Sequence, residues 1–296
     1  MMQQELDALA ARLKSQDYIS DDHITMSIFL AGQLNRPLLI EGPAGVGKTE
    51  IAKVMANLHG TDLIRLQCYE GLDVAHAIYE WNYQKQLLYL KISENATRSD
   101  DEKEAEIYSE KYLLKRPLLQ AISSNEQVVL LIDEVDRADE EFESFLLEIL
   151  SDWQVTIPEI GTIKAKVIPF VVLTSNRTRE LSEALRRRCF YLWIDYPEFD
   201  KELEIVRTKV PDFDHDLARQ ICRFMMEIRM LDLDKIPGLS ETLEWAKVLA
   251  TLHVDHLDRQ IVENTLGIIL KDWRDTREVQ LSLSELLDKA GIEKRF

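Results

Sequence analysis

Leu38-Leu39-Ile40-Glu41-Gly42-Pro43-Ala44-Gly45-Val46-Gly47-Lys48-Thr49-Glu50-Ile51 is the stretch from which the rest of the chain can be read. Three consecutive apolar residues end at a glycine-rich turn, after which Ile51, Val54, Met55 and Leu58 recur at i, i+3, i+4 and i+7. A short apolar run followed by that spacing predicts strand, loop, helix. The turn from Gly42 to Thr49 has the form G-x-x-x-x-G-K-[ST], in the context that gives the pattern its meaning. Its glycines let the backbone wrap closely, so that N–H groups converge on a phosphate, and the following helix adds partial positive charge at its N-terminus. Lys48 is expected to reach β- and γ-phosphate oxygens and Thr49 to place its hydroxyl on Mg²⁺. Together with Glu50, the residues Gly42, Pro43, Ala44, Gly45, Val46, Gly47, Lys48 and Thr49 form the expected nucleotide-contacting set.

Towards the C-terminus, Val128-Val129-Leu130-Leu131-Ile132-Asp133-Glu134 is a second apolar run, ending in two carboxylates. In a chain with a phosphate loop, an aspartate at the end of a buried strand helps to hold Mg²⁺, which is the role expected of Asp133. Glu134 is then placed to polarise the attacking water, a task that needs an acceptor within hydrogen-bond reach. The acids that follow, Asp136, Asp139, Glu140 and Glu141, read as a solvated loop, with Asp139 available to cap the helix carrying Phe142 and Phe145.

A third run, from Val167 to Leu173, leads into Thr174-Ser175-Asn176. Asn176 could hold the water or the γ-phosphate from the side, and an ordinary strand-ending turn residue is the competing reading. Arg186-Arg187-Arg188 then precedes the run Phe190–Ile194. Three consecutive arginines cannot all point one way on a helix. An arginine inserted beside the γ-phosphate of an adjacent subunit stabilises transition-state charge, and Arg187 and Arg188 are the candidates. Arg186 fits a surface or local ion-pair role.

Around these motifs, residues 1 to 34 read as helical until Pro37 stops them, and Leu63–Leu66 supplies another strand. Strands alternating with helices imply a mostly parallel sheet covered on both faces. Beyond Pro197 the segments Glu202–Lys209, Asp216–Met230, Glu241–Leu252, Arg259–Asp272 and Ser284–Ala290 look helical, and no strand signal of comparable strength follows. The expected fold is therefore α/β: a P-loop parallel sheet with helices on both faces, residues 1–197, followed by a small all-α lid domain, residues 198–296. The charged segment Ser93–Glu110 reads as an exposed insertion.

Bulk composition narrows the partners. Hydrophobic residues at 46% and charged residues at 30% are ordinary globular usage. A formal charge of −17, from 36 Lys+Arg against 53 Asp+Glu, repels phosphate backbones and anionic membranes, so nucleic acid is not an expected partner. Cys68, Cys189 and Cys222 are odd in number and widely spaced, which fits reduced thiols in a cytoplasmic chain. The polar N-terminus and the lack of any run of about 18 apolar residues predict no direct membrane insertion.

The ordered set of phosphate loop, Leu131-Ile132-Asp133-Glu134, Thr174-Ser175-Asn176, Arg187-Arg188-Cys189 and helical C-terminal region resembles the AAA+ ATPases, and within them the MoxR family. Leu66-Gln67-Cys68-Tyr69-Glu70-Gly71 is similar to the segment that family carries after its second strand. Asp152-Trp153-Gln154-Val155-Thr156-Ile157-Pro158-Glu159 is similar to the hairpin before its sensor strand. Cys68 to Asp73 combined with Ser151 to Glu159 resembles the CoxD-type members, associated with maturing molybdenum- and copper-containing carbon monoxide dehydrogenase and related hydroxylases. The resemblance implies ATP and Mg²⁺ as cofactors and a homo-oligomer in the form of a hexameric ring. It further implies a client protein such as a metalloenzyme, an adaptor protein, and the stated roles for Lys48, Thr49, Asp133, Glu134, Asn176 and the two arginines. One departure stands out: Pro237-Gly238-Leu239-Ser240-Glu241 has no arginine where many such ATPases carry a γ-phosphate sensor on the lid. Two other readings compete with the ATP-driven chaperone: a nucleotide-switched assembly scaffold with little hydrolysis, which the intact Glu134 opposes, and a DNA-remodelling ATPase, which the net charge opposes.

Overall fold

Among the described residues nine strands form in chain order: β1 (Leu38–Glu41), β2 (Leu63–Gln67), β3 (Tyr79–Trp81), β4 (Leu113–Lys115), β5 (Val129–Asp133), β6 (Gln154–Ile157), β7 (Gly161–Lys164), β8 (Phe170–Ser175) and β9 (Phe190–Trp193). The computed structural model describes residues 2–93, 99–211 and 214–292. Five of the strands make one sheet in the order β2-β5-β8-β1-β9, with every neighbouring pair parallel. β1, β5 and β8 are buried along their whole lengths, as a parallel sheet covered on both faces requires. This is the α/β sheet that the apolar runs predict.

The chain packs as two units. The first comprises residues up to Leu6, Asp22–Glu41 and Thr49–Trp193; the second comprises Asp7–Asp21, Gly42–Lys48 and the residues from Ile194 onward. In the first unit, alternate strand residues Leu39, Leu130, Ile132, Val171 and Leu173 share a core with Leu118, Leu119 and Ile122 of the helix Pro117–Ile122. Phe142, Leu146 and Ile149 of the helix Glu140–Asp152 join the same core. Each such side chain taken out of water contributes roughly 1.5–3 kcal/mol before entropy is charged against it. Asp139 caps the helix Glu140–Asp152 as expected, accepting from Phe142 N–H at 2.8 Å. Trp153 then ends it in a left-handed conformation and leads into the antiparallel hairpin β6–β7.

The stretch between β2 and β5 is more ordered than its composition suggests. β3 and β4 pair antiparallel, and helices form at Tyr83–Ile92 and Asp100–Ile107. Ser99 and Glu102 cap the second reciprocally, at 3.3 and 3.1 Å. Residues 94–98 of the expected insertion lie outside the described residues. The N-terminal helical reading resolves into two helices, Met2–Lys14 and Asp22–Gln33, separated by a turn with Asp17 at φ 56°.

The second unit is helical in its C-terminal part: Phe199–Lys209, His215–Arg229, Leu239–Thr251, Arg259–Ile269 and Trp273–Lys289. Leu203, Phe224, Trp245, Leu266 and Leu283 share one core. The last helix begins at Trp273, well before the Ser284 expected from the sequence. Asp272 caps its start, accepting from Arg274 N–H at 2.8 Å, and buried Val279 and Leu283 carry its inner face through a polar-looking stretch. Among the described residues no helix is long and apolar enough to cross a membrane.

Candidate active site

The phosphate-loop residues Gly42–Lys48 belong to the second unit. Gly47 has φ +92°, a conformation that L side chains rarely adopt, and that lets the turn close directly before the helix Lys48–His59. Lys48 is buried and folds back over its own loop, with Nζ donating to Gly42 O at 2.8 Å and Pro43 O at 2.6 Å. The stretch where a lid arginine was absent meets this loop through its backbone: Ser240 N–H donates to Gly45 O at 2.9 Å. Gly238 lies so close that a Cβ there would fall 2.7 Å from Ala44 O. Behind it, the guanidinium of Arg229 donates to Pro237 O at 2.9 Å and is held by buried Glu202 at 2.7 Å.

In the first unit, β5 delivers Asp133, which is 4% exposed, to a cluster of oxygens and one guanidinium. Oδ1 accepts from Thr49 Oγ1 at 3.3 Å and from Thr174 Oγ1 at 2.5 Å, while Oδ2 accepts from Arg65 Nη2 at 2.5 Å. The hydroxyl and the carboxylate are hard oxygen donors of the kind Mg²⁺ takes. Arg65 also donates to Gln67 Oε1 at 2.6 Å. The Cys68 N–H donates to Asp133 O at 2.8 Å, and burial, reinforced by Asp133, Asp136 and Glu134, pushes the Cys68 thiol up to about 12. That thiol stays protonated and is no nucleophile.

Glu134 turns out of the strand in a left-handed conformation, φ 54° and ψ 48°. Its N–H donates to Thr174 Oγ1 at 3.0 Å, and its carboxylate pairs with Arg137 Nε at 2.9 Å. The Arg137 side chain is 55% exposed, so this pair is worth under about 1 kcal/mol and does not lock the glutamate. Glu50 lies 3.5 Å from Lys53 on the helix that starts at Lys48.

Asn176 is joined to the acidic segment through its backbone, its N–H lying 3.2 Å from both carboxylate oxygens of Asp136. Asp136 is 3% exposed and also accepts from Thr178 N–H at 2.8 Å and Thr178 Oγ1 at 2.7 Å. The reading of Asp136 as a solvated acid is therefore corrected: the one-turn helix Val135–Arg137 rotates it inward, where three donors satisfy it.

The arginines ride on the helix Glu183–Arg188, capped by Ser182. Arg187 is 76% exposed and pairs across one helical turn with an equally exposed Glu183. Arg188 turns back, with Nε donating to Ser151 Oγ at 2.5 Å and Nη1 to Ala184 O at 3.2 Å. Arg36, from the loop before β1, donates to Arg187 O at 2.6 Å and Arg188 O at 3.3 Å, ending the helix with a cation at its negative pole. Thr49, Asp133, Glu134 and Thr174 thus meet directly, Asn176 joins through Asp136, and the arginines occupy a separate helix. Arg65, Thr174 and Asp136 are the residues that sequence reasoning did not single out. For Arg65 the available signal was a lone cation between buried Ile64 and Leu66 on a strand.

Residues 38–195 match the family model described as "ATPase family associated with various cellular activities (AAA)". Over 241 residues the chain is 27% identical to the gas vesicle ATPase GvpN of Haloferax mediterranei, covering 77% of this chain and 66%, just under two thirds, of that protein. It is 24% identical over 280 residues to an uncharacterized protein of Staphylococcus haemolyticus, covering 90% of this chain and 97% of the other. Among solved structures, the RuvB Holliday junction branch migration motor of Thermotoga maritima aligns at 19% identity with a TM-score of 0.45, covering 91% of this chain and 80% of that one.

Proposed function

Because this chain belongs to the AAA family of ATPases, and so binds and hydrolyses ATP, we propose that it works as a MoxR-type chaperone ATPase whose sites are shared between neighbouring subunits of a ring. Residues 1–197 would serve as the nucleotide-binding part and 198–296 as the lid. The observation that carries the reading is the convergence of Thr49 Oγ1 and Thr174 Oγ1 on Asp133 Oδ1, at 3.3 and 2.5 Å, directly before a half-buried glutamate in a left-handed turn.

In this scheme Gly42 to Thr49 with Glu50 hold the nucleotide, and Thr49 and Asp133 hold Mg²⁺. That ion, when bound, supplies charge neutralisation on the β- and γ-phosphate oxygens. Lys48 exchanges its contacts with Gly42 O and Pro43 O for phosphate oxygens. Glu134 accepts the proton of the attacking water, for which its weak pair with Arg137 opens. Asn176 orients that water. Arg187 is the residue offered to the neighbouring subunit, since the pair it gives up with Glu183 is worth at most about 0.5 kcal/mol. Arg188, turned onto Ser151, steadies the helix instead.

AAA ATPases commonly assemble into rings. For the client we favour a metalloenzyme, molybdenum- and copper-containing carbon monoxide dehydrogenase or a related hydroxylase, on the likeness of Cys68 to Asp73 and Ser151 to Glu159 to CoxD-type members, with an adaptor protein as a further partner and the cytoplasm as the place of action. The charge of −17 speaks against DNA as the substrate. The second reading is a nucleotide-switched assembly scaffold with little hydrolysis, which the intact Glu134 opposes.

Steady-state ATPase activity across protein concentration tests the shared site, with sizing in the presence and absence of ATP. Turnover per subunit is expected to rise with concentration as the ring forms. Glu134→Gln should bind ATP without hydrolysing it, and Arg187→Ala should lose on the order of 10³-fold in turnover while retaining binding. Arg188→Ala should lose far less. Activity independent of concentration, with Arg187→Ala at the parent rate, would sink the inter-subunit mechanism.

A further inference from the structure

Glu41 is the last residue of β1 and the one from which the phosphate loop departs. Its carboxylate is only 2% exposed, and a buried charge is costly unless it is paired. One oxygen, Oε2, gathers partners from three elements. Tyr191 Oη on β9 donates at 3.1 Å, Arg186 Nη2 on the helix Glu183–Arg188 donates at 3.4 Å, and Arg177 Nε beyond β8 lies at 3.7 Å. Both guanidiniums also lie against aromatic rings: Arg186 is 5.5 Å from the centroid of Tyr191 and Arg177 is 5.9 Å from that of Trp193.

Each arginine adjoins a residue with a proposed part in hydrolysis: Arg177 follows Asn176 and Arg186 precedes Arg187. Arg177 has φ 58°, a backbone conformation that costs a non-glycine residue about 1 kcal/mol and persists where the surroundings hold it. Ser175 Oγ, accepting from Arg177 N–H at 3.0 Å, holds the backbone, and the Glu41 carboxylate holds the side chain. The Asn176 turn is thereby pinned twice, by its N–H on Asp136 and by the next side chain on Glu41.

We infer that Glu41 is a positioning residue for ATP hydrolysis: one carboxylate clamps two guanidiniums and so fixes the Asn176 turn and the arginine helix against the end of β1. The inference rests on the roles proposed above for Asn176 and Arg187. Glu41→Gln keeps the size and an acceptor oxygen but removes the charge that both cations share.

The test uses the full chain and compares Glu41→Gln, Arg177→Gln and their double variant with Asn176→Ala and Arg187→Ala. For each, kcat and KM for ATP are measured together with direct titration of a fluorescent ADP analogue. Glu41→Gln is expected to lose about tenfold or more in kcat with ADP affinity within about twofold of the parent. The double variant should be no slower than the slower single variant, since both remove the same contact. Parent-like turnover in Glu41→Gln, with Asn176→Ala and Arg187→Ala both slow, overturns the inference and leaves the roles of those two residues standing. Parent-like turnover in Asn176→Ala and Arg187→Ala overturns those roles and the inference with them. ADP affinity that falls in step with kcat, or losses that add in the double variant, marks Glu41 as merely structural and also overturns the inference. Should Glu41→Gln fail to fold, Arg177→Gln, whose side chain is half-exposed, carries the test by the same split between kcat and ADP affinity.

Discussion

Asp136 shows what a single buried carboxylate can hold together. Its two oxygens take the N–H groups of Asn176 and Thr178 and the Thr178 hydroxyl, so Asp136→Ala would leave three donors without an acceptor. Each unsatisfied buried donor costs about 1–3 kcal/mol, with water returning to some of them. The expected loss is about 3 kcal/mol of stability, read as a shift of the urea unfolding midpoint at constant slope. A change below about 0.5 kcal/mol would show that the carboxylate adds nothing to the fold. At this scale the sequence was legible where a strand aims a side chain, as with Asp133. It was not legible where an irregular turn does so. Asp136 sits in an acidic run after a left-handed Glu134, and no periodicity reports which acid that turn rotates inward. Arg65 was missed for a related reason: its neighbours suit a strand, and its partner lies 68 positions away.

The start of the helix Leu239–Thr251 meets the phosphate loop through its backbone. Gly238 admits the phosphate loop within a distance that no side chain allows, and Ser240 N–H anchors Gly45 O at 2.9 Å. Gly238→Ala should therefore displace the loop and weaken ATP binding by roughly tenfold, measured with a fluorescent ATP analogue. Ser240→Ala keeps the anchoring N–H and should bind within about twofold of the parent. Equal losses in the two variants would mean that the Ser240 hydroxyl, and not the close approach, does the holding. The elements that build the sheet were legible because unbroken apolar runs between turn residues admit few other readings. β3 and β4, three residues each, are too short for alternation to declare them. The last helix was found only in its second half because Trp273 to Ser282 carries few apolar residues, and of these Val279 is buried while Trp273 and Leu281 are exposed, so no apolar stripe marks the first half.

Across the whole molecule three thiols share one electrostatic condition. Burial pushes Cys68, Cys189 and Cys222 from the ordinary 9.0 up to about 12, against the lowering pull of Arg36 and Arg188 on Cys189 and of Arg229 and Arg207 on Cys222. Below pH 9 both folded and unfolded chains keep these thiols protonated. Between 9 and 12 the unfolded chain releases protons that the folded one retains, so stability falls as pH rises through that window. Unfolding free energies at pH 8, 9 and 10 are expected to decline by about 0.3 kcal/mol per thiol over the first step and by about 1 kcal/mol per thiol over the second. A flat profile would mean that the thiols reach solvent. The sheet order carries a consequence for synthesis. β1 is made before both of its partners among the described residues, β8 and β9, the second of which ends at Trp193. The ribosome, adding roughly 5–20 residues per second, leaves that strand without either neighbour for on the order of ten seconds. During that interval Leu38-Leu39-Ile40 is an unpaired apolar edge, the kind of segment that nascent-chain chaperones shield. An ATPase of this family would itself need help on the way to its native state.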